Sequence, residues 1–165
     1  MSIRTAEIED IPSIRAIALR TWPVAYGGIL PPAQLAYMLD LMYSEGALAD
    51  QLNVKRHRFA LFAVSGEVLG FVGYEHHHGE RPATRLHKLY VLPSAQGTGA
   101  GKALLHHVIG SARSAGDVVV ELNVNRFNNA RWFYEKIGFR VVRDEVIDIG
   151  QGFVMDDHVM ELPIP

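Results

Sequence analysis

The spacing of apolar positions changes several times along the chain, and each change marks an element. Leu104, Leu105, Val108, Ile109 and Ala112 recur at helical spacing and form one apolar face. Gly116 closes that helix as a C-terminal cap. Upstream, Arg85-Leu86-His87-Lys88-Leu89-Tyr90-Val91 has the character of a strand that stops at Leu92-Pro93. Arg58 to Ser65 and Val68 to Glu75 read as two strands joined by a short turn. Asp117 to Val124, with three consecutive valines, predicts a buried strand. Phe139 to Ile149 and Phe153 to Leu162 predict a closing antiparallel pair around Gly150-Gln151-Gly152.

The remaining segments alternate with these. Ser2 to Ala6 suits a short first strand. Asp10 and Pro12 open a helix whose apolar face is Ile14, Ile17 and Ala18, and Pro23 is expected to end it. Trp22, Tyr26, Gly27 and Gly28 then read as an irregular link. A helix follows Pro31-Pro32, with Leu35, Met38, Leu39 and Met42 on one face, and Ser44 restarts a short helix through Leu52. Ala130 to Lys136 is a helix ending at Gly138. The order β-α-α-β-β-β-α-β-α-β-β fits an α+β fold on a mixed sheet.

Composition narrows the class without naming it. A chain of 165 residues, 48% hydrophobic and 21% charged, is the size and make-up of one globular domain spanning 1–165. The net charge of −2 gives no overall attraction to nucleic acid or to an anionic membrane, and suits a cationic amine. No cysteine is present, so disulfides, thiolate nucleophiles and cysteine metal sites are excluded. No apolar run reaches the roughly 18 residues of a membrane helix, and no signal-peptide core opens the chain, so a cytoplasmic location is expected. Lys55-Arg56-His57-Arg58 and His76-His77-His78 read as solvated loops. The adjacent histidines have no ligand partner at a useful spacing, and no metal is expected.

The chemistry concentrates in Gln96-Gly97-Thr98-Gly99-Ala100-Gly101-Lys102, between a strand and a helix. Glycines at alternate positions let backbone N–H groups approach a ligand, and the helix dipole and Lys102 add positive charge. The stretch is an anion cradle, most naturally for phosphate. It lacks the G-x-G-x-x-G spacing of a dinucleotide fold. Ala103 follows Gly101-Lys102 where a P-loop needs Ser or Thr for Mg²⁺.

Gln96-x-x-Gly99-x-Gly101 after Leu-Tyr-Val-Leu-Pro resembles the pyrophosphate signature of the GCN5-related N-acetyltransferases. About thirty residues on, Asn128-Asn129-Ala130-Arg131-Trp132-Phe133-Tyr134-Glu135-Lys136-Ile137-Gly138-Phe139 is similar to that family's second block. Gly150 to Leu162, with Trp22, Tyr26 and Met42-Tyr43-Ser44, looks like a subgroup that includes polyamine acetyltransferases. The resemblance implies a mixed, mostly antiparallel twisted sheet of about seven strands with helices on both faces. It implies acetyl-CoA held by Gln96 to Lys102, with Leu89, Tyr90 and Val91 beside the thioester and Asn128 on the pantetheine. Asn128 stands two residues before Ala130 rather than the family's usual three.

In that family Tyr134 would return a proton to the leaving thiolate; by its apolar surroundings alone it is equally a core tyrosine. Trp22, Tyr26 and Tyr43 either staple helices together or wall the acceptor pocket. A primary ammonium of pKa about 10.4 is neutral in only about one molecule in 2,500 at pH 7, which costs about 4.6 kcal/mol. A base or desolvation is therefore worthwhile. Many members place a Glu where this chain has Arg85. Glu121, His87 and a water chain remain as candidates, with Asn123 on the face of Glu121. The expected reaction is direct attack by a small-molecule amine, such as a polyamine, on acetyl-CoA. Acetylation of a protein N-terminus or lysine, and a non-catalytic acyl-CoA sensor, are the alternatives. A homodimer is compatible with the resemblance.

Overall fold

In the computed structural model, which describes residues 1–165, the strands are β1 (Ser2–Thr5), β2 (Arg58–Val64), β3 (Glu67–Glu75), β4 (Ala83–Val91), β5 (Val119–Asn125), β6 (Arg140–Gly150) and β7 (Phe153–Pro163). The helices are α1 (Ile11–Tyr26), α2 (Pro32–Tyr43), α3 (Glu45–Asn53), α4 (Ala100–Ser114) and α5 (Ala130–Ile137). One sheet takes the order β1-β2-β3-β4-β5-β7-β6. Every neighbouring pair is antiparallel except β4 with β5. The expected α+β architecture, mixed sheet and helix-covered faces are all present.

Strand alternation divides the core in two. Ala60, Phe62 and Val72 face α4, where Leu104, Leu105, Val108 and Ala112 are buried. Phe59, Leu61 and Phe71 face the opposite way, onto Ile14, Ile17, Trp22, Met38 and Leu48 of α1 to α3. Burying each such side chain contributes about 1.5–3 kcal/mol, so both faces hold the sheet firmly.

Two features of the sheet create the site. In the β3–β4 ladder, Gly73 pairs with Lys88 and Tyr74 with Leu86, so His87 is an extra residue, a β-bulge. The bulge turns Lys88 away from the face of Leu86: Leu86 packs in the α4 core, while Lys88 reaches Gln51 on α3. The second feature is the length of the β4–β5 pairing. It runs only from Ala83↔Val119 to Leu86↔Leu122, whereas β5 pairs with β7 along its whole length. From His87 to Val91 the β5-facing edge of β4 has no strand partner, and the sheet opens as a wedge.

The first helix differs from expectation. Pro23 lies inside α1, and Trp22 and Tyr26 sit on it rather than on an irregular link. Proline removes one backbone donor. The next turn is formed all the same: Gly27 N–H reaches the Pro23 carbonyl at 3.0 Å and Trp22 packs at a tilt on Tyr26, ring centroids 4.7 Å apart. The segment after α2 is a separate helix, α3, whose Ser44 hydroxyl accepts from Ala47 N–H at 3.1 Å as expected of a cap. All five helices named from the sequence are therefore present.

Candidate active site

The wedge opens onto an outer groove on one side and an inner cavity on the other. The outer groove, about 870 Å³, runs from Leu89, Tyr90 and Val91 across Gln96, Gly97 and Gly99 to Lys102, and back along Phe127 to Ala130, Phe133 and Tyr134. Gly97 and Gly99 have φ of 79° and 87°, and a Cβ built on either meets nothing within 4 Å. The turn therefore faces open space in a backbone conformation that favours glycine. The N–H groups of Gly97, Gly99, Ala100, Gly101 and Lys102 have no backbone acceptor, and Ala103 makes the first helical bond, to Gly99, at 2.9 Å. These donors at the start of a 15-residue helix fit a diphosphate.

One member of the expected set does not join it. Thr98 is turned back, its hydroxyl donating to the Ala95 carbonyl, and it does not line the groove. Asn128 lines the groove, but its Oδ1 accepts from Ala130 N–H at 2.9 Å and so caps the turn into α5. Being two residues from Ala130 suits that capping bond.

The inner cavity, about 280 Å³, lies between α1 and α2 above and β4, β5 and β7 below. Trp22, Tyr26 and Tyr43 all line it. Trp22 also packs its ring at a tilt or edge-on against Tyr26, Tyr43 and Tyr90, so these residues serve the helix packing as well. Arg85, His87, Lys88, Asn123 and Asp157 bring polar groups to its wall. A small space of about 60 Å³ in the wedge joins cavity to groove and is bordered by Tyr26, His87, Asn128 and Tyr134. Tyr90 borders all three, and its hydroxyl lies 3.0 Å from that of Tyr26.

Tyr134 stands at the junction. It is buried, its hydroxyl makes no hydrogen bond within the protein, and burial raises its pKa, so the phenol stays protonated. Glu121 is elsewhere. Its carboxylate is 2% exposed, is held by Arg81 with Arg85 3.9 Å away, and lines neither cavity nor groove. The sequence placed Glu121 on a face with Asn123, but only Asn123 reaches the cavity, because Glu121 is opposite Arg85 in the closed part of the wedge. His87 does line the cavity. Burial, then neighbouring His57, lowers its pKa to about 3, and it is 3.0 Å from Glu75.

The carboxylate that does face the cavity is Asp157 on β7, 2% exposed. Burial raises its pKa, partly offset by Asn123 Nδ2, which donates to it at 3.2 Å, and by Arg85. Alternation puts Asp156 and Asp157 on opposite faces of β7 but does not say which one meets the cavity. The contact with Asn123 across the β5–β7 ladder is what marks it.

Both basic runs lie in loops as expected, with Lys55, Arg56, Arg58 and His77 exposed, but His57 and His76 turn inward. His57 stacks on His87 with ring centroids 4.1 Å apart and planes 12° from parallel. His76 is held between Thr84 and Ser111, His77 is 2.6 Å from Asp117, and His78 is 2.9 Å from Glu75. His57, Glu75 and His87 bring ligand atoms within 4.8 Å of one another. Stacked imidazoles direct their in-plane lone pairs along parallel lines, so one ion cannot meet both without a ring rotating. The group is a hydrogen-bonded cluster about Glu75.

Residues 32–156 match a family model described as an acetyltransferase (GNAT) domain. An uncharacterized N-acetyltransferase of Mycobacterium tuberculosis is 33% identical over 133 residues, 80% of this chain and 84% of that protein. The [ribosomal protein bS18]-alanine N-acetyltransferase of Haemophilus influenzae is 42% identical over 57 residues, 34% of this chain and 39% of that protein. The crystal structure of the PaiA N-acetyltransferase of Thermoplasma acidophilum in complex with coenzyme A superposes with a TM-score of 0.81 at 23% identity, covering 99% of this chain and 100% of that one.

Proposed function

The chain belongs to the GNAT family of acetyltransferases, and from that premise we propose that it carries an acetyl group from acetyl-CoA to the primary amine of a small molecule. The observation that carries this is the pair of spaces meeting at Tyr90 and Tyr134, one suited to a long phosphorylated ligand and one to a small acceptor.

The outer groove would hold the coenzyme. The free N–H groups of Gly97 and of Gly99 to Lys102 take the diphosphate, with the Lys102 ammonium beside them. The unpaired edge of β4 at Leu89 to Val91 can receive the pantetheine arm as an added strand. A main-chain N–H there can donate to the thioester carbonyl and stabilise the charge that develops on its oxygen. Acetyl-CoA supplies the activated acyl group. Tyr134 keeps its proton in the free protein and is placed to donate it as the sulfur departs.

Asp157 takes the acceptor side. Its carboxylate in the cavity wall can orient an ammonium and accept a proton from it, assisted by Asn123. Glu121, already paired with arginine, has no part in this. His87 is too weak a base for the step and is assigned to shaping the cavity wall. Direct attack by the amine needs no covalent enzyme intermediate, in keeping with the lack of cysteine.

The roof over the cavity favours a small acceptor over a protein chain. Tyr37 and Gln34 of α2 hydrogen-bond to the β6–β7 hairpin, bridging the space a peptide would need to cross. The test is acetyl-CoA turnover by the purified protein with a panel of small amines and with peptides bearing free N-termini. Faster release of coenzyme A with small amines supports the reading, and turnover on peptides alone overturns it.

A further inference from the structure

Lys88 is a buried ammonium without a carboxylate partner. It is 8% exposed, and its only hydrogen bond is Nζ to Gln51 Oε1 at 2.7 Å. Gln51 is fixed in turn, donating from Nε2 to the Met42 carbonyl at 2.9 Å. The rings of Tyr43 and Phe59 lie 5.4 and 5.7 Å from Nζ. A lysine has three N–H donors, and here one is used. Burial lowers its pKa to about 7, as befits a cation that lacks a counter-ion.

The neighbouring wall holds two more buried groups without a hydrogen-bond partner. Trp22 Nε1–H and the Tyr43 hydroxyl are buried with no hydrogen-bond partner, and both residues border the same cavity as Lys88. Indole N–H can only donate, and ammonium can only donate. Arg85 is already answered, by Asn123 Oδ1 at 2.6 Å and by Glu121. Asp157 supplies the one carboxylate among the polar groups lining the cavity. A ligand that completed these groups would bring a cation to Asp157 and an anion to Lys88. A polyamine would set a second positive charge beside an ammonium that nothing neutralises.

We infer that the acceptor carries a carboxylate as well as its amine, and that Lys88 receives that carboxylate, so the substrate class is a small amino acid. The inference rests on the reading of acetyl transfer to a small amine and narrows it. A cavity of about 280 Å³ equals about nine water volumes, a fit for a molecule of amino-acid size. Binding returns the lysine proton: the neutral fraction of Lys88 takes up H⁺ from water as the carboxylate enters, and no bond other than N–H forms.

The test is a ladder of ω-amino acids from glycine to 6-aminohexanoate, each assayed against its own primary amide with acetyl-CoA. The acid and amide are matched in chain length and differ in the charge offered to Lys88, the longer members of the ladder having amines of nearly equal basicity. The best acid is expected to exceed its amide in kcat/KM by about 10- to 100-fold, the range of a charge-assisted hydrogen bond. Lys88→Met should bring that ratio towards one; removing a lone buried charge for an apolar chain of similar size favours folding. Gln51→Glu is the independent check, because it gives Lys88 an internal carboxylate and should also abolish the preference. Amides matching acids along the whole ladder, or a preference that persists in both variants, overturns the inference. So does turnover of diamines with no amino acid accepted, and that result leaves acetyl transfer itself standing. If no amine is acetylated at all, both readings fall.

Discussion

The Tyr37 hydroxyl donates to the Ile149 carbonyl at 2.6 Å and thereby ties α2 to the end of β6. Gln34, one turn earlier on the same helix, donates from Nε2 to the Val154 carbonyl at 2.8 Å on β7. Two bonds from one helix thus tie α2 to the β6–β7 hairpin beside the inner cavity. The bridge is close-fitting: a Cβ at Gly150 would stand 2.9 Å from the Tyr37 oxygen.

Loosening that bridge should act on acceptor binding first. Tyr37→Phe removes the hydroxyl and costs about 1 kcal/mol, which lowers Tm by about 2–4 °C in a chain of this size. Steady-state kinetics should show KM for the amine raised roughly 3- to 10-fold with kcat less affected. A fall in kcat at constant KM contradicts a positioning role for the roof.

Removing the Tyr134 hydroxyl should do the reverse. Tyr134→Phe keeps the ring that packs against Phe133 and Phe139. Its kcat is expected to drop by about 100-fold, with the Kd for coenzyme A within roughly 3-fold of the parent. Calorimetric titration beside initial-rate assays separates the two. An unchanged rate removes Tyr134 as the proton donor.

Asp157 predicts a pH profile. Burial raises its pKa above the usual carboxylate value, so kcat/KM should fall as pH drops through that raised value and the carboxylate takes a proton. A carboxyl whose folded pKa is raised contributes stability below its unfolded pKa and loses it as pH rises through the folded one. Asp157→Asn should therefore lose the acid limb of the rate profile along with most activity, and should raise Tm at pH 8. An acid limb that survives the substitution assigns it to another group.

The His57–His87 pair predicts acid sensitivity. Burial lowers the two pKa values to about 4 and about 3, against 6.5 in the unfolded chain. Groups with depressed folded pKa values stabilise the fold above pH 6.5, and that share is lost as pH falls towards 4 and then 3. Tm of the wild type should decline over that window, and His57→Phe should flatten the decline. Parallel Tm curves for the two proteins contradict a neutral buried His57.

Most of the fold was legible because its elements obey simple periods. The face of α4, the Ser44 cap and the glycine turns from Gly97 to Gly101 follow from local rules, and all appear as expected. The misreadings share a different cause, which is that long-range packing overrode a local signal. Pro23 should stop a helix, yet α1 continues past it with Trp22 packed on Tyr26. The runs holding His57 and His76 to His78 are exposed loops for the most part, as composition suggests, yet His57 turns in to stack on His87 and His76 turns in between Thr84 and Ser111.

The site divides the same way. The proposed phosphate cradle is a contiguous stretch, so its glycine-rich turn can be read directly from the sequence. The proposed acceptor cavity draws its polar wall from β4, β5 and β7, and one bulged residue decides which face Lys88 takes. Alternation would put Lys88 on the face of Leu86; the extra residue at His87 sends it to the other face. Glu121 and Asp157 are both strand carboxylates, and only the short β4–β5 register separates the one sealed by arginine from the one facing the cavity.

The most direct measurement is a crystal structure of the protein with coenzyme A. The diphosphate should sit on the N–H groups of Gly97 and of Gly99 to Lys102, with the pantetheine along Leu89 to Val91 and the sulfur within hydrogen-bond reach of the Tyr134 hydroxyl. A coenzyme whose sulfur lies away from the junction of groove and cavity contradicts the account.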